Sequence, residues 1–204
     1  MQAARGTPLN PSDADQPPAG RARPSLPRRR LLWLFAVVAL VGYAADLGTK
    51  ALAVARLTGE PPVRVVGDLL TLTLARNPGA AFSTGTSYTL VLSLVAIAAV
   101  CAVLWFARRV RSAGWALALG FLLAGVLGNL TDRVFRSPGF LRGHVVDFLQ
   151  LPNWPIFNVA DMCINIAAGL IILQAFRGVG VDGTRAKVDR DARAEVDRDA
   201  ATPT

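Results

Sequence analysis

Three aspartates in the second half of the chain, Asp132, Asp147 and Asp161, are candidates for two-carboxylate chemistry. Two neighbouring carboxyl groups do not both ionise easily, so one keeps a proton that polarises a carbonyl while the other activates a water molecule. Such a pair can hydrolyse a peptide bond without a metal ion, a serine or a cysteine. The candidate chemistry is therefore that of an aspartic protease, and we expect no cofactor and no metal.

The surroundings of these aspartates differ. Asp147 lies in the apolar segment 145–148 without an adjacent cation, and apolar surroundings raise the pKa of a carboxyl group that must hold a proton. Asp132 directly precedes Arg133, so an ion pair that stabilises a helix end explains Asp132 as well as a catalytic role does. We therefore rank Asp147 and Asp161 above Asp132, by a modest margin.

Other chemistries have less support. His144 is the only histidine, so a zinc hydrolase or a Ser-His protease would have to be built around one imidazole. Cys101 and Cys163 lie inside apolar segments without CxxC spacing and are interpreted as core thiols. The net charge of +8 comes from arginines in the tails and at the ends of apolar segments. This placement favours membrane flanks over nucleic-acid binding.

Long apolar segments must position the candidate residues. The chain has 204 residues, 52% of them hydrophobic, and a mean hydropathy of +0.40. Each segment reaches or approaches the roughly 20 helical residues that cross a bilayer. The segments are Leu31–Ala45, which we expect to continue toward Ala55, Tyr88–Ala107, Gly114–Leu130 and Ile156–Phe176. The predicted fold is an all-α membrane bundle of four transmembrane helices.

Arginines lie at the ends of the apolar segments in three places, at positions 28–30, at 108, 109 and 111, and at 177. By the positive-inside rule these places are cytoplasmic, which puts both termini inside. Residues 1–30 are rich in Pro, Ala and Arg and are predicted to be a disordered tail. Residues 177–204, which repeat Val-Asp-Arg-Asp-Ala, are predicted to be a second, charged tail, leaving 31–176 as the membrane domain.

A cleavable secretory signal is an alternative interpretation of the first apolar segment. Against it stand a polar stretch of about 30 residues before the segment and an unconvincing cleavage site near Ala44. We therefore keep it as a retained helix.

The two outer segments carry different patterns. Leu70–Arg76 alternates apolar and polar residues between the breakers Pro61-Pro62 and Asn77-Pro78-Gly79, which predicts strands of a small extracytoplasmic sheet. Residues 133–155 contain several turn markers and are predicted to be looser.

Polar residues converge on this outer side. Asn158, Asp161 and Asn165 have the spacing of one helical face, which should point into the bundle. Asp46 and Lys50, four residues apart, could form an ion pair. With both termini inside, the ends of the predicted helices bring Asp46, Asp132 and Asp161 to the side that also holds Asn77 and Asp147. The pattern predicts one polar site near the outer membrane interface.

At this point five blocks resemble, in order and spacing, those of the bacterial lipoprotein signal peptidases (signal peptidase II). They are Asp46-Leu47-Gly48-Thr49-Lys50, Asn77-Pro78-Gly79-Ala80-Ala81-Phe82-Ser83, Gly128-Asn129-Leu130-Thr131-Asp132-Arg133, Val146-Asp147-Phe148 and Phe157-Asn158-Val159-Ala160-Asp161. Leu47, in place of a usual Gln, and Ala124, in place of a usual Gly, depart from the family pattern.

The resemblance implies a multi-pass protease of the bacterial cytoplasmic membrane, with a small extracytoplasmic β-cradle and its active site on that face. It implies substrates that are diacylglyceryl-modified prolipoproteins, cut just before the lipid-bearing cysteine, and Asp147 and Asp161 as the catalytic pair. Residues that would shape the site or bind substrate are Asp46, Lys50, Asn77, Gly79, Asn129, Asp132, Arg133 and Asn158. For Asp46 and Lys50, an ion pair that stabilises the first helix explains the residues equally well.

Two other classes of protein fit the sequence less well. A small transporter or channel would use its Asp and Asn residues to bind ions, but transporters favour internal repeats and polar groups near mid-bilayer. A non-catalytic scaffold leaves the polar clustering without a reason. We expect membrane lipids as partners, no nucleic acid, and a monomer.

Overall fold

The computed structural model describes residues 27–79 and 87–184. Four helices in this part of the chain are long and apolar enough to cross a membrane, as predicted. They are α1 (Arg28–Leu57), α2 (Ser87–Ala107), α3 (Ala113–Phe135) and α4 (Val159–Phe176). Most of the predicted N-terminal tail, the repeat of the C-terminal tail and the Ala80–Ser83 part of the second sequence block lie outside the described residues.

Helix α3 packs on all three other helices, and small residues on its different faces permit this. A Cβ on Gly120 would lie 3.0 Å from the Phe35 carbonyl of α1. A Cβ on Gly125 would collide with the Ala160 carbonyl and Ile164 of α4. Helices can approach this closely only where side chains are absent or small. α3 is therefore the centre of the bundle.

Ala124 of α3 has a direct packing role. It is fully buried, and a Cβ added to Gly42 of α1 would lie 2.8 Å from the Ala124 methyl group. The small residue that permits the close α1–α3 approach is thus on α1 at this level. The departure of Ala124 from the family pattern is accommodated by Gly42.

The sheet is antiparallel in the order β1 (Val63–Val66), β2 (Leu70–Asn77), β3 (Val145–Gln150). The alternating segment forms β2, as predicted. The prediction of a looser segment at 133–155 is wrong for β3, because this strand buries successive residues rather than alternate ones. Val146 and Phe148 of β3 pack on Ala53 and Leu57 of α1. The C-terminal part of α1 therefore supports the sheet.

At the opposite end of the bundle, residues after α4 fold back onto the connection between α2 and α3. The Trp115 indole donates to the Val179 carbonyl at 2.8 Å, and the Arg111 amide donates to the Val181 carbonyl at 3.0 Å. Val110 is fully buried in the same region. These contacts close the end of the bundle that is remote from the sheet.

Candidate active site

Asp147 lies in the middle of β3, where the strand register places it opposite Ala75 of β2. The side-chain amide of Asn77, at the end of β2, donates to Asp147 Oδ2 at 2.9 Å. Asn77 Oδ1 accepts from the Gly79 amide at 2.8 Å, and this bond requires a turn in which Gly79 has a φ of +99°. That conformation favours glycine. The Asn77-Pro78-Gly79 corner thus directs the Asn77 amide group at Asp147.

Asp161 lies at the N-terminus of α4, where a capping box holds it. The backbone amide of Asp161 donates to Asn158 Oδ1 at 3.0 Å, and the backbone amide of Asn158 donates to Asp161 Oδ2 at 3.1 Å. Reciprocal bonds of this kind satisfy two helix-end amides that have no partner inside the helix. α4 therefore begins at Val159, three residues later than the start of its apolar segment.

Asn158 also connects the two candidate catalytic carboxyl groups. Its side-chain nitrogen donates to Asp147 Oδ1 at 2.6 Å, while its backbone and side-chain oxygen hold Asp161. Asn165, predicted to lie on the same inward face, is exposed, and its amide bonds the Asp161 carbonyl of its own helix. The prediction is wrong for Asn165, because an i–4 carbonyl within its own helix satisfies its side chain.

Asn129 of α3 links Asp161 to a cation. Its side-chain nitrogen donates to Asp161 Oδ1 at 2.9 Å, and its oxygen accepts from Lys50 Nζ at 3.0 Å. A longer contact of 3.3 Å joins Asn158 Nδ2 to the same Asn129 oxygen. Since Asn129 donates to one partner and accepts from two others, its amide orientation is defined by the network.

Lys50 is the centre of a buried ionic group. Lys50 Nζ lies 2.8 Å from Asp46 Oδ2 and 3.1 Å from Asp132 Oδ2, and all three residues are at most 1% exposed. The ion pair that the Asp46 and Lys50 spacing suggested is present. The expected continuation of the first segment toward Ala55 is confirmed, because α1 extends to Leu57. Asp46 therefore lies within the first helix and not at its end.

Both carboxylates of this ionic group also bind other elements. Asp46 Oδ1 accepts from the Ala160 amide of α4 at 2.8 Å, and Asp132 Oδ2 accepts from the Val146 amide of β3 at 3.1 Å. The second oxygen of Asp132 pairs with Arg136, not with the adjacent Arg133. The sequence interpretation missed Arg136, although its i, i+4 spacing from Asp132 was a usable signal.

Arg133 is directed toward the candidate pair without a bond to it. Its Nη1 atom is buried and has no hydrogen-bond partner among the described residues. The charges of Asp147, Asp161 and Asp132 act on its guanidinium group. A buried N–H without an acceptor is costly, so this nitrogen is a candidate donor to a bound molecule.

Burial raises the pKa of Asp147 from 3.8 to about 6. The neighbouring Asp161 charge acts in the same direction, while the hydrogen bonds from Asn77 and Asn158 and the charge of Lys50 favour the ionised form. The direction agrees with the effect expected from the apolar flanks of Asp147. A carboxyl group with this pKa can exchange a proton near neutral pH.

Comparison with known proteins decides the family. The sequence model described as signal peptidase (SPase) II matches residues 38–177. The chain belongs to the signal peptidase II family. A lipoprotein signal peptidase of Leifsonia xyli subsp. xyli is 46% identical to it over 188 residues, which cover 91% of this chain and 87% of the relative. One from Mycolicibacterium smegmatis is 50% identical over 165 residues, covering 81% and 69% of the two chains.

The fold comparison agrees with membership of the signal peptidase II family. A solved structure of a bacterial membrane enzyme, obtained by the in meso method, superposes with a TM-score of 0.63 at 28% identity. The match covers 70% of this chain and 92% of that one. The predicted fold class, four membrane helices with a small sheet, is confirmed.

All ten residues predicted for the site of this signal peptidase II lie at the sheet end of the bundle. Asp147, Asp161, Asn77, Asn129 and Asn158 form one hydrogen-bonded network. Asp46, Lys50 and Asp132 form the ionic group that joins it through Asn129. Gly79 shapes the corner that orients Asn77, and Arg133 reaches the same region. The described residues contain no cluster of His, Cys, Asp and Glu that would hold a metal ion.

Proposed function

We propose that Asp147 and Asp161 are the catalytic pair with which this membrane enzyme cuts its substrate. Family membership makes the chain a lipoprotein signal peptidase, an aspartic endopeptidase. The proposed substrates are diacylglyceryl-modified prolipoproteins, cut just before the lipid-bearing cysteine. One observation carries the assignment: Asn158 donates hydrogen bonds to the carboxyl groups of both Asp147 and Asp161.

The two carboxyl groups have different tasks in this proposal. Asp147, whose pKa is raised to about 6, donates a proton to the scissile carbonyl oxygen. Asp161 accepts hydrogen bonds from the side-chain amide of Asn129 and from the backbone amide of Asn158. These bonds suit a carboxylate that acts as a base and takes a proton from water. As Asp161 takes this proton, the water oxygen attacks the carbonyl carbon. Asp161 then gives the proton to the departing amine as the C–N bond breaks, and Asp147 recovers its own proton from the new carboxyl group.

The other site residues support this pair. The Nη1 atom of Arg133, which has no hydrogen-bond partner in the described part of the chain, is proposed to donate to a substrate carbonyl. A fixed donor there also stabilises the negative charge that develops on oxygen. The ionic group of Asp46, Lys50 and Asp132 joins α1, α3, α4 and β3. Its role in the proposal is to hold those four elements in one arrangement.

The proposed orientation places both termini in the cytoplasm and the active site at the extracytoplasmic face. Seven arginines lie at the end of the bundle remote from the sheet, at positions 28–30, 108, 109, 111 and 177. Six arginines lie at the sheet end, at positions 56, 64, 76, 133, 136 and 142, and two of them, Arg64 and Arg136, pair with Asp68 and Asp132. Since cytoplasmic flanks carry the excess of Arg and Lys, the remote end is the cytoplasmic one, with residues 1–30 and 177–204 as cytoplasmic tails of the protease domain.

This orientation also fits the substrate. A cysteine that carries a diacylglyceryl group is held at the membrane surface. In the proposed orientation the sheet end of the bundle, with Asp147 on β3 and Asp161 at the start of α4, faces the outer surface of the membrane. Anchoring the scissile bond beside the catalytic groups replaces a collision in solution by a local encounter. We expect a monomer to suffice, with membrane lipids around the apolar helix faces.

The proposal is tested with the purified full-length chain in detergent and a precursor peptide in two forms, with and without the diacylglyceryl group on its cysteine. We expect cleavage of the lipidated form only, with a product that begins at the modified cysteine, identified by mass spectrometry. Equal cleavage of both forms, or cleavage at another bond, would contradict the proposed substrate.

A further inference from the structure

Helix α2 contributes none of the ten site residues, yet it buries two hydroxyl groups close to the site. Thr89 is 1% exposed and Ser93 is fully buried, and they lie one helical turn apart in a largely apolar helix. Burying a hydroxyl group is unfavourable unless it forms a hydrogen bond. The partners of these hydroxyl groups therefore show what the helix is built to hold.

Thr89 binds the corner that orients Asn77. Its Oγ1 donates to the Pro78 carbonyl at 2.6 Å, eleven residues earlier in the chain. The next residue of the corner, Gly79, also packs on α2, because a Cβ at Gly79 would collide with Leu92. The corner is thus held on α2 on both sides of the Pro78–Gly79 peptide.

Ser93 binds the loop that leads into β3. Its Oγ lies 2.7 Å from the Leu141 carbonyl and 2.9 Å from the Thr89 carbonyl. Leu141 has a φ of +59°, a left-handed conformation that a leucine rarely adopts unless its surroundings hold it there. Four residues later the chain enters β3 at Val145, which pairs with Asn77.

The two hydroxyl groups therefore hold the two segments that meet at the bond between Asn77 and Asp147. One segment carries Asn77, and the other begins the strand that carries Asp147. We propose that Thr89 and Ser93 are positioning residues, which seat the corner and the loop on α2 so that the Asn77 amide stays directed at Asp147. This inference rests on the catalytic role proposed for Asp147.

The experiment removes each hydroxyl group with little change of shape. Thr89→Val and Ser93→Ala are assayed in full-length enzyme for kcat and KM on the lipidated precursor. Thr89→Ser, which keeps a hydroxyl group, serves as the rescue. Thr58→Val is the matched control, because the exposed hydroxyl of Thr58, the residue that follows α1, donates to the Val54 carbonyl of that helix.

We expect Thr89→Val to lower kcat by about 10- to 100-fold, the size of effect that a small misplacement of a catalytic group produces. Thr89→Ser should recover most of this loss, Ser93→Ala should lower kcat in the same direction, and Thr58→Val should match wild type. All rates are expressed per folded molecule, determined from the unfolding transition.

A second measurement separates positioning from general support of the fold. The midpoint of Asp147 protonation, followed by the infrared carbonyl band of the acid, should rise in Thr89→Val, because a displaced Asn77 no longer favours the ionised form. The charged groups that face Asp147, namely Asp161, Lys50 and Arg133, are unaltered in this variant. A wild-type kcat, or a lowered melting temperature with an unmoved midpoint, would overturn the inference.

These outcomes are distinct from a failure of the proposed catalytic pair. If Asp147→Asn retains full activity, the catalytic assignment is wrong and the inference falls with it. If Asp147→Asn is inactive while Thr89→Val and Ser93→Ala behave as wild type, only the positioning role is wrong.

Discussion

Asn158 donates a hydrogen bond to Asp147 over 2.6 Å from the position that also caps the helix carrying Asp161. The start of α4 and the link between the two carboxyl groups are therefore set by one side chain. A change at this helix end therefore affects the contacts of both proposed catalytic groups. The relationship makes Asn158 the position where stability and activity can be separated by substitution.

Asn158→Ala removes both the cap and the bond to Asp147, whereas Asn158→Ser keeps a capping oxygen and removes the bond. We expect Ala to lower the free energy of unfolding by about 1 kcal/mol, the usual value of an N-cap, and Ser to restore most of it. Both variants should have low kcat. Thermal unfolding and precursor cleavage are measured on the same samples, and activity that recovers together with stability in Ser would contradict the link.

Asp147→Asn and Asp161→Asn should each lower kcat by about a thousandfold or more, because each removes a proton donor or acceptor from the reaction. Asp68→Asn is the matched control, since Asp68 pairs with Arg64 at an exposed site. Asp132→Asn should be less stable but retain measurable turnover per folded molecule. Turnover in either pair variant above that of Asp132→Asn would show that the pair has been assigned wrongly.

Lys50→Met should destabilise the fold strongly, because it leaves the carboxylates of Asp46 and Asp132 buried without their cation. Removing one partner of a buried ion pair typically costs about 3–5 kcal/mol. The triple change that adds Asp46→Asn and Asp132→Asn should regain part of this loss. Arg64→Met, which breaks an exposed pair, should stay within about 1 kcal/mol of wild type. Equal melting temperatures for Lys50→Met and Arg64→Met would exclude a structural role for Lys50.

The raised pKa of Asp147 predicts a loss of stability as the pH rises. In the folded protein this group titrates near 6 rather than 3.8, so between these values the folded state binds more protons than the unfolded state. The slope of unfolding free energy against pH is then negative. The contribution is fully present below pH 3.8 and is lost through about pH 6, with a total on the order of 3 kcal/mol.

Infrared titration of the acid carbonyl band should give a midpoint near 6 for Asp147, and Asp147→Asn identifies the band by removing it. Asn77→Ala should move the midpoint upward, because the lost hydrogen bond favoured the ionised form. A downward shift would show that Asn77 instead stabilises the protonated acid. Melting temperatures over the same pH range provide an independent check.

Topology is tested by reporter fusions. A reporter that is active only in the cytoplasm should be active when it is fused after Arg111, in the connection between α2 and α3. A matched fusion after Ser137, in the connection between α3 and β3, should behave oppositely. The reverse result at both sites would invert the proposed orientation and place the catalytic pair on the cytoplasmic face.

Several features of this protein follow from local sequence. Long apolar segments predict the membrane helices, because a chain that crosses a bilayer must satisfy its own backbone hydrogen bonds. The alternation of apolar and polar residues at 70–76 predicts β2. The spacing of Asp46 and Lys50 predicts their ion pair, since residues four apart share a helix face. The placement of Asp147 among apolar residues predicts that its pKa is raised.

Other features depend on contacts between distant parts of the chain. β3 lacks alternation because both of its faces are buried, so only pairing with β2 and packing on α1 define it. Asn158 looks like a helix residue in the sequence, yet its side chain serves the helix end and Asp147. Asp132 pairs with Lys50 and Arg136 and not with the adjacent Arg133. Sequence shows which residues can bond, but the fold selects the partners, because the energy of a buried polar group depends on which groups lie within reach once water is excluded.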